Sequence, residues 1–219
     1  MTIRSSEVAA EAIGTALLLT AVVGSGIMAE KLAGGNDGVA LLANAIATGG
    51  ALFALIHTFG PISGAHFNPL VTLAKLARRD MTLSVAVGYI AAQIVGAIAG
   101  VWIAHLMFAL PVLQIGEHER TGLGQWIGEF VASFGLLAVI ESGRRHFTES
   151  LPAAIAAYIT GAYWFTSSTS FANPAVTIAR SLTDTFAGIS PSHVAAFIVA
   201  QALGGAVAVR VMNRLTPPS

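Results

Sequence analysis

Asn68-Pro69-Leu70-Val71-Thr72-Leu73-Ala74-Lys75 and Asn173-Pro174-Ala175-Val176-Thr177-Ile178-Ala179-Arg180 match in residue type at almost every step, 105 positions apart. Each opens an apolar stretch too short to cross a bilayer, which takes about 20 mostly apolar residues in a helix. Asn is a favoured helix N-cap and Pro a favoured first helical residue, so one copy would be an ordinary helix start. Two copies, each heading a segment that cannot span, make the pair a feature of the architecture.

The surroundings are membrane-like. Of the 219 residues, 55% are hydrophobic and only 10% charged, with a mean hydropathy of +0.75, too apolar for an ordinary soluble domain. Six stretches qualify as spans, centred near Thr20, Ala51, Ala97, Phe134, Tyr158 and Ala202. Glu7 and Glu11 at the start of the first, with no small-residue cleavage site after it, are expected to leave it as a membrane helix rather than a signal peptide. A net charge of zero gives no basic face for nucleic acid. Cysteine is absent, which excludes disulfides, iron–sulfur clusters and thiolate metal sites. With the N-terminus inside, eight of the eleven basic residues, among them Arg78, Arg79, Arg144 and Arg145, fall on the inner side, against Lys31, Arg120 and Arg180 outside. That bias predicts a multi-pass inner-membrane protein with both termini cytoplasmic.

The halves echo each other beyond the Asn-Pro pair. Tyr89-Ile90-Ala91-Ala92-Gln93-Ile94-Val95-Gly96 recurs as Phe197-Ile198-Val199-Ala200-Gln201-Ala202-Leu203-Gly204, and Glu11 has a counterpart in Glu129. The expectation is one channel domain over 1–219, made of repeat halves 1–115 and 121–219. Three crossings separate Asn68 from Asn173 if each short segment dips in and returns to its own side, and an odd number inverts the second copy. The predicted fold is an all-α membrane protein: six transmembrane helices and two re-entrant half-helices in an inverted three-span repeat. Re-entrant backbone at membrane depth is tolerated where it is buried in protein or lines a water-filled cavity, so the half-helices are expected to line a pore.

Where two such N-termini meet, the positive ends of their dipoles disfavour cations. The Asn amides are placed to donate to a water or hydroxyl oxygen, which opposes proton relay along a water column. The arrangement suits neutral, oxygen-bearing solutes.

Ser63-Gly64-Ala65-His66-Phe67-Asn68-Pro69, together with Asn173-Pro174-Ala175, resembles the aquaporin and aquaglyceroporin superfamily, and the likeness covers nearly the whole chain. The resemblance implies a right-handed six-helix bundle, usually a homotetramer with one pore per subunit, no cofactor and no metal. Leu70 stands where the family usually has Ala. Val176 stands where it usually places the arginine of its outer selectivity filter, and Thr177 where glycerol facilitators have aspartate. Counting from the Asn residues carries the other filter positions over to Thr48, Gly161 and Ser170, a wide, uncharged ring suited to larger solutes. A one-residue register error would substitute Ala47 or Gly49 for Thr48 and Thr160 or Ala162 for Gly161, leaving the ring small, whereas a rotated helix would bring Tyr163 or Trp164 in to narrow the outer mouth. The chain is similar in its valine to an arsenic-operon branch of bacterial aquaglyceroporins, which implies arsenite, As(OH)3, as a solute beside glycerol-like polyols and water.

The resemblance makes His66 an inner-vestibule residue; a buried histidine supporting the re-entrant turn is the equal alternative. Glu11 and Glu129 are intramembrane carboxylates, by default functional, and the family gives them the role of accepting hydrogen bonds from the re-entrant loops. Gln93 and Gln201 are expected to bridge the same loops. The leading expectation is a passive, non-enzymatic channel whose partners are the lipid bilayer and small neutral solutes. One rival is an inverted-repeat secondary transporter using Glu11 and Glu129. The other is an intramembrane hydrolase using Ser63 and His66, which lacks an orienting third residue.

Overall fold

The computed structural model of the protein describes residues 4–215. The described residues form eight α-helices and no strand: α1 (Ser5–Leu32), α2 (Asp37–Ser63), α3 (Pro69–Ala77), α4 (Leu83–Met107), α5 (Leu123–His146), α6 (Leu151–Phe165), α7 (Pro174–Arg180) and α8 (Pro191–Leu215). Five of them, α1, α2, α4, α5 and α8, are long and apolar enough to cross a membrane. The span expected around Tyr158 is shorter: α6 has 15 residues. Pro152 sits at its first turn, where a helix tolerates proline, and a single 3₁₀ turn at Thr148–Ser150 extends it.

The helices are apolar on nearly every side, because one side packs inward and the other meets lipid. Val95, Leu106, Val199 and Leu203 are exposed, as befits a surface solvated by acyl chains. Close packing relies on small residues. α1 packs along α4, and α5 along α8. A Cβ at Gly96 would land on the carbonyl oxygen of Ala12, and one at Gly204 on that of Phe130. Each helix pair therefore approaches to backbone contact at a glycine.

α3 and α7 are the two short helices, with nine and seven residues. They touch each other and also α4 and α8. At the C-terminus of α3, Arg78 pairs with Glu141 of α5, and Arg144 Nε lies 3.1 Å from the other Glu141 oxygen. Beyond the C-terminus of α7, the loop from Ser181 to Ser190 meets Gly116, His118 and Arg120 in the connection between α4 and α5.

The loops leading into α3 and α7 are strained in the same pattern. Ala65 and Phe67 have φ of 47°, as does Ala172, with Ser170 at 52°. Non-glycine residues pay about 1–2 kcal/mol each in this left-handed region, so the surroundings must impose it. Two buried carboxylates do so. Glu11 Oε1 accepts from Ser63 Oγ (2.6 Å) and His66 N (2.9 Å), and its Oε2 from Phe67 N (2.8 Å) and Gln93 Nε2 (2.7 Å). Glu129 accepts from Phe171 N and Ala172 N, both at 2.9 Å, and from Gln201 Nε2 at 2.6 Å. Gln93 and Gln201 reach on to Thr72 and Thr177, whose hydroxyls return to the carbonyls of Asn68 and Asn173. The same circuit is thus built twice around the two Asn-Pro steps.

Candidate functional site

Asn68 caps α3 and Asn173 caps α7. Asn68 Oδ1 accepts from Leu70 N at 2.9 Å; Asn173 Oδ1 accepts from Ala175 N at 3.0 Å and Val176 N at 3.3 Å. Each satisfies helix donors that would otherwise be orphaned. The amide nitrogens cross over: Asn68 Nδ2 donates to Ala172 O, and Asn173 Nδ2 donates to Phe67 O, both at 2.8 Å. An amide nitrogen carries two hydrogens, so each Asn has one N–H left after this bond, and both residues line the same cavity.

That cavity, about 530 Å³, runs from His57, Thr148 and Glu149 at one end past Asn68 and Asn173 to Thr48, Ser170 and Arg180 at the other. Its wall is mainly apolar, with Leu18, Val22, Leu52 and Ile56 among the lining side chains. Thr48, Ser170 and Val176 lie together on this wall. Gly161 does not line it. α6 turns Pro152, Ile155, Ile159 and Tyr163 to the cavity, a 3,4,4 spacing that defines one helix face. Gly161 falls off that face, next to Phe165. Tyr163, buried, takes the place instead and its hydroxyl lies 3.2 Å from Thr48 Oγ1. Trp164 is half exposed on the outer surface and stays clear of the cavity.

Leu70 also lies off the cavity. It belongs to the apolar cluster with Leu136, Leu137 and Ile159, and it packs near Gly205 of α8, where a Cβ would lie at ordinary contact distance, 3.9 Å from it. Pro69, Pro174 and Ala175 are buried behind the Asn residues and form the first turns of their helices.

His66 lines the cavity, with Nδ1 3.0 Å from Thr72 Oγ1 and its backbone N–H on Glu11. It does not pair with Ser63, whose hydroxyl is committed to Glu11 and to Ala65 N. Nucleophile and base are therefore not coupled. Glu11 and Glu129 are fully buried and do not line the cavity, and their oxygens are taken up by four and three donors respectively. Asn44 makes a helix–helix bond to Val22 O at 2.9 Å, whereas His57 stays with its own helix, on Phe53 O, at the cavity end.

One residue of the wall, Arg180, carried little signal in the sequence, whereas Tyr163 was already the alternative to Gly161 for a rotated helix. Tyr163 was recoverable from the spacing of its face in α6. Arg180, only 2% exposed, lies one turn past Val176 and had no sign beyond being a basic residue at the end of an apolar segment.

The chain matches the family described as Major intrinsic protein over residues 2–168. Aquaglyceroporin AqpS of Rhizobium meliloti (strain 1021) is 51% identical over 215 residues, covering 96% of this chain and 90% of that protein. Aquaporin PIP2-7 of Arabidopsis thaliana is 34% identical over 153 residues, 65% of this chain and 55% of that protein. The X-ray structure of the aquaglyceroporin from Plasmodium falciparum has the same fold, with a TM-score of 0.76 over 97% of both chains at 18% identity.

Proposed function

The chain belongs to the major intrinsic protein family, and from that premise we propose that this passive, non-enzymatic membrane channel conducts small neutral hydroxylated solutes: arsenite as As(OH)3, glycerol-like polyols and water. The observation that carries the reading is the small, uncharged side chain at position 176, on the cavity wall beside Asn173. Val176, Thr48 and Ser170 line the cavity there, and none of them narrows it as a long cationic side chain at position 176 would. The lack of cysteine suits passage of As(OH)3 rather than its capture by thiolate. The similarity to a protein named an aquaglyceroporin supports polyols among the solutes.

In this reading Asn68 and Asn173 sit at the centre of the path. One N–H of each amide and the positive ends of two helix dipoles favour an oxygen acceptor and oppose cations and protons. Thr48, Ser170 and Val176, with Tyr163 in place of Gly161, form the outer constriction, and His66 borders the inner vestibule. Glu11 and Glu129 support the loops. Their isolation from the cavity speaks against the secondary-transporter alternative, which needs a carboxylate that solute or coupling ion can reach. We further place the termini in the cytoplasm, take 1–115 and 121–219 as the repeat halves of one domain, and expect a homotetramer in the inner membrane.

The test is swelling of proteoliposomes under arsenite, glycerol and water gradients. Permeability to at least one of them above protein-free liposomes is the expected result, and permeability to none would sink the proposal.

A further inference from the structure

Position 176 is uncharged, yet the cavity does carry a cation. Arg180 lies one helical turn further along α7, about 6 Å beyond Val176 at the rise of an α-helix, and it is among the lining residues. Its guanidinium is held at two points. The Cζ atom lies 3.5 Å from the centre of the Phe171 ring, and Nε donates to the carbonyl oxygen of Ala187. Phe171 is itself clamped, with Phe197 against it at 5.2 Å and its backbone N–H on Glu129.

Three observations make this arginine unusual. No carboxylate lies within ion-pair distance of it among the described residues. Neither terminal Nη group has an acceptor among them, since the only side-chain bond is through Nε. Yet the Nη groups are not among the polar atoms sealed in the protein without a partner. They therefore open onto the cavity that Arg180 lines. A second guanidinium, that of Arg120, stands 5.3 Å from the same ring and is anchored to Gly188 O at 2.8 Å, so the local charge is added to rather than cancelled. A buried, unpaired cation is costly, and access to water in the lumen is what can offset that cost.

We infer that Arg180 is the charged selectivity element of this pore: its Nη groups, displaced one turn from position 176, bind the oxygens of passing solutes and repel cations. The displacement separates two properties that one arginine at position 176 would combine. The lumen beside Asn173 stays wide because Val176 is small, while charge selection occurs further out, where the guanidinium lies over the Phe171 ring. This inference rests on the channel reading above.

The experiment compares wild type, Arg180→Gln and Arg180→Lys in proteoliposomes, recording glycerol flux and potassium flux on the same preparations. Arg180→Gln should raise the potassium-to-glycerol permeability ratio by about tenfold or more, the scale on which a local charge alters ion access, and Arg180→Lys should hold the ratio near wild type. An unchanged ratio in Arg180→Gln would overturn the inference while leaving the channel reading intact; absence of glycerol, water and arsenite flux in wild type would take down both. Should neither variant reconstitute, wild type decides. Inorganic phosphate on both faces should slow glycerol flux saturably, by about twofold or more through charge-assisted bonds to the guanidinium, whereas chloride at equal ionic strength should not. Equal effects of the two anions would overturn the inference.

Discussion

Asn68 and Asn173 brace each other's loops: each donates its side-chain amide to the carbonyl of the residue that precedes the other, Ala172 and Phe67, at the same 2.8 Å. Each side-chain oxygen meanwhile caps its own helix. The pair thus couples the two halves of the chain at the centre of the cavity. It also orients the amides, so that one N–H of each is committed and one is left.

Because the brace is reciprocal, Asn68→Ala and Asn173→Ala should not add. Each alone is expected to cost about 1–3 kcal/mol through the lost cap and the unpaired carbonyl. A double-mutant cycle on thermal or denaturant unfolding in detergent should show a coupling of about 0.5–3 kcal/mol, the range for directly interacting groups. Strict additivity would show the two loops to be held independently.

Val176→Arg should lower glycerol and arsenite flux while sparing water, since it adds bulk and a charge to the wall beside Asn173. Stopped-flow measurement of the three solutes on the same vesicles checks this. Equal reduction of all three, or of none, would remove position 176 from the constriction.

Tyr163→Ala should act in the opposite sense. It removes a ring that lines the cavity and the hydroxyl that meets Thr48, so the ratio of polyol to water permeability should rise. Gly161→Ala, off the cavity face of α6, should leave that ratio as it is. A larger response at 161 than at 163 would reverse the assignment of the lining face.

Glu11→Gln should destabilise the protein by about 3–5 kcal/mol, as expected when one partner of a buried charge-assisted network is lost. Gln keeps one acceptor oxygen but turns an amide donor toward backbone N–H groups. Residual glycerol flux should remain linear in the gradient and indifferent to a pH difference across the membrane. Flux that a proton gradient drives in wild type and Glu11→Gln abolishes would instead favour the secondary transporter.

Gly96→Leu and Gly204→Leu should impair folding, because even the Cβ would overlap a carbonyl oxygen of the facing helix. Overpacking of this kind costs about 1–3 kcal/mol for modest insertions and more where backbone must move. Leu203→Ala, on the exposed face of α8, provides the contrast and should leave the melting temperature near wild type.

Much of this protein is determined by its sequence alone, because the decisive signals are local or repeated. Hydropathy marks membrane helices, since backbone polar groups in lipid have to be satisfied within a helix. Asn-Pro marks a helix start by capping chemistry, and its recurrence beside Glu11/Glu129 and Gln93/Gln201 exposes the doubled circuit. What only the tertiary structure decided is which side chains meet across long separations and which way each helix faces. Gly161 and Tyr163 are two residues apart, and the roughly 200° between them on a helix put one outside the cavity and the other on its wall. Leu70 turned from the lumen into an apolar cluster with Leu136, Leu137 and Ile159, residues far along the chain. Arg180 reads in sequence as a basic residue at the end of a segment; only the approach of Phe171 and Ala187 fixes its guanidinium beside the cavity without a counter-charge.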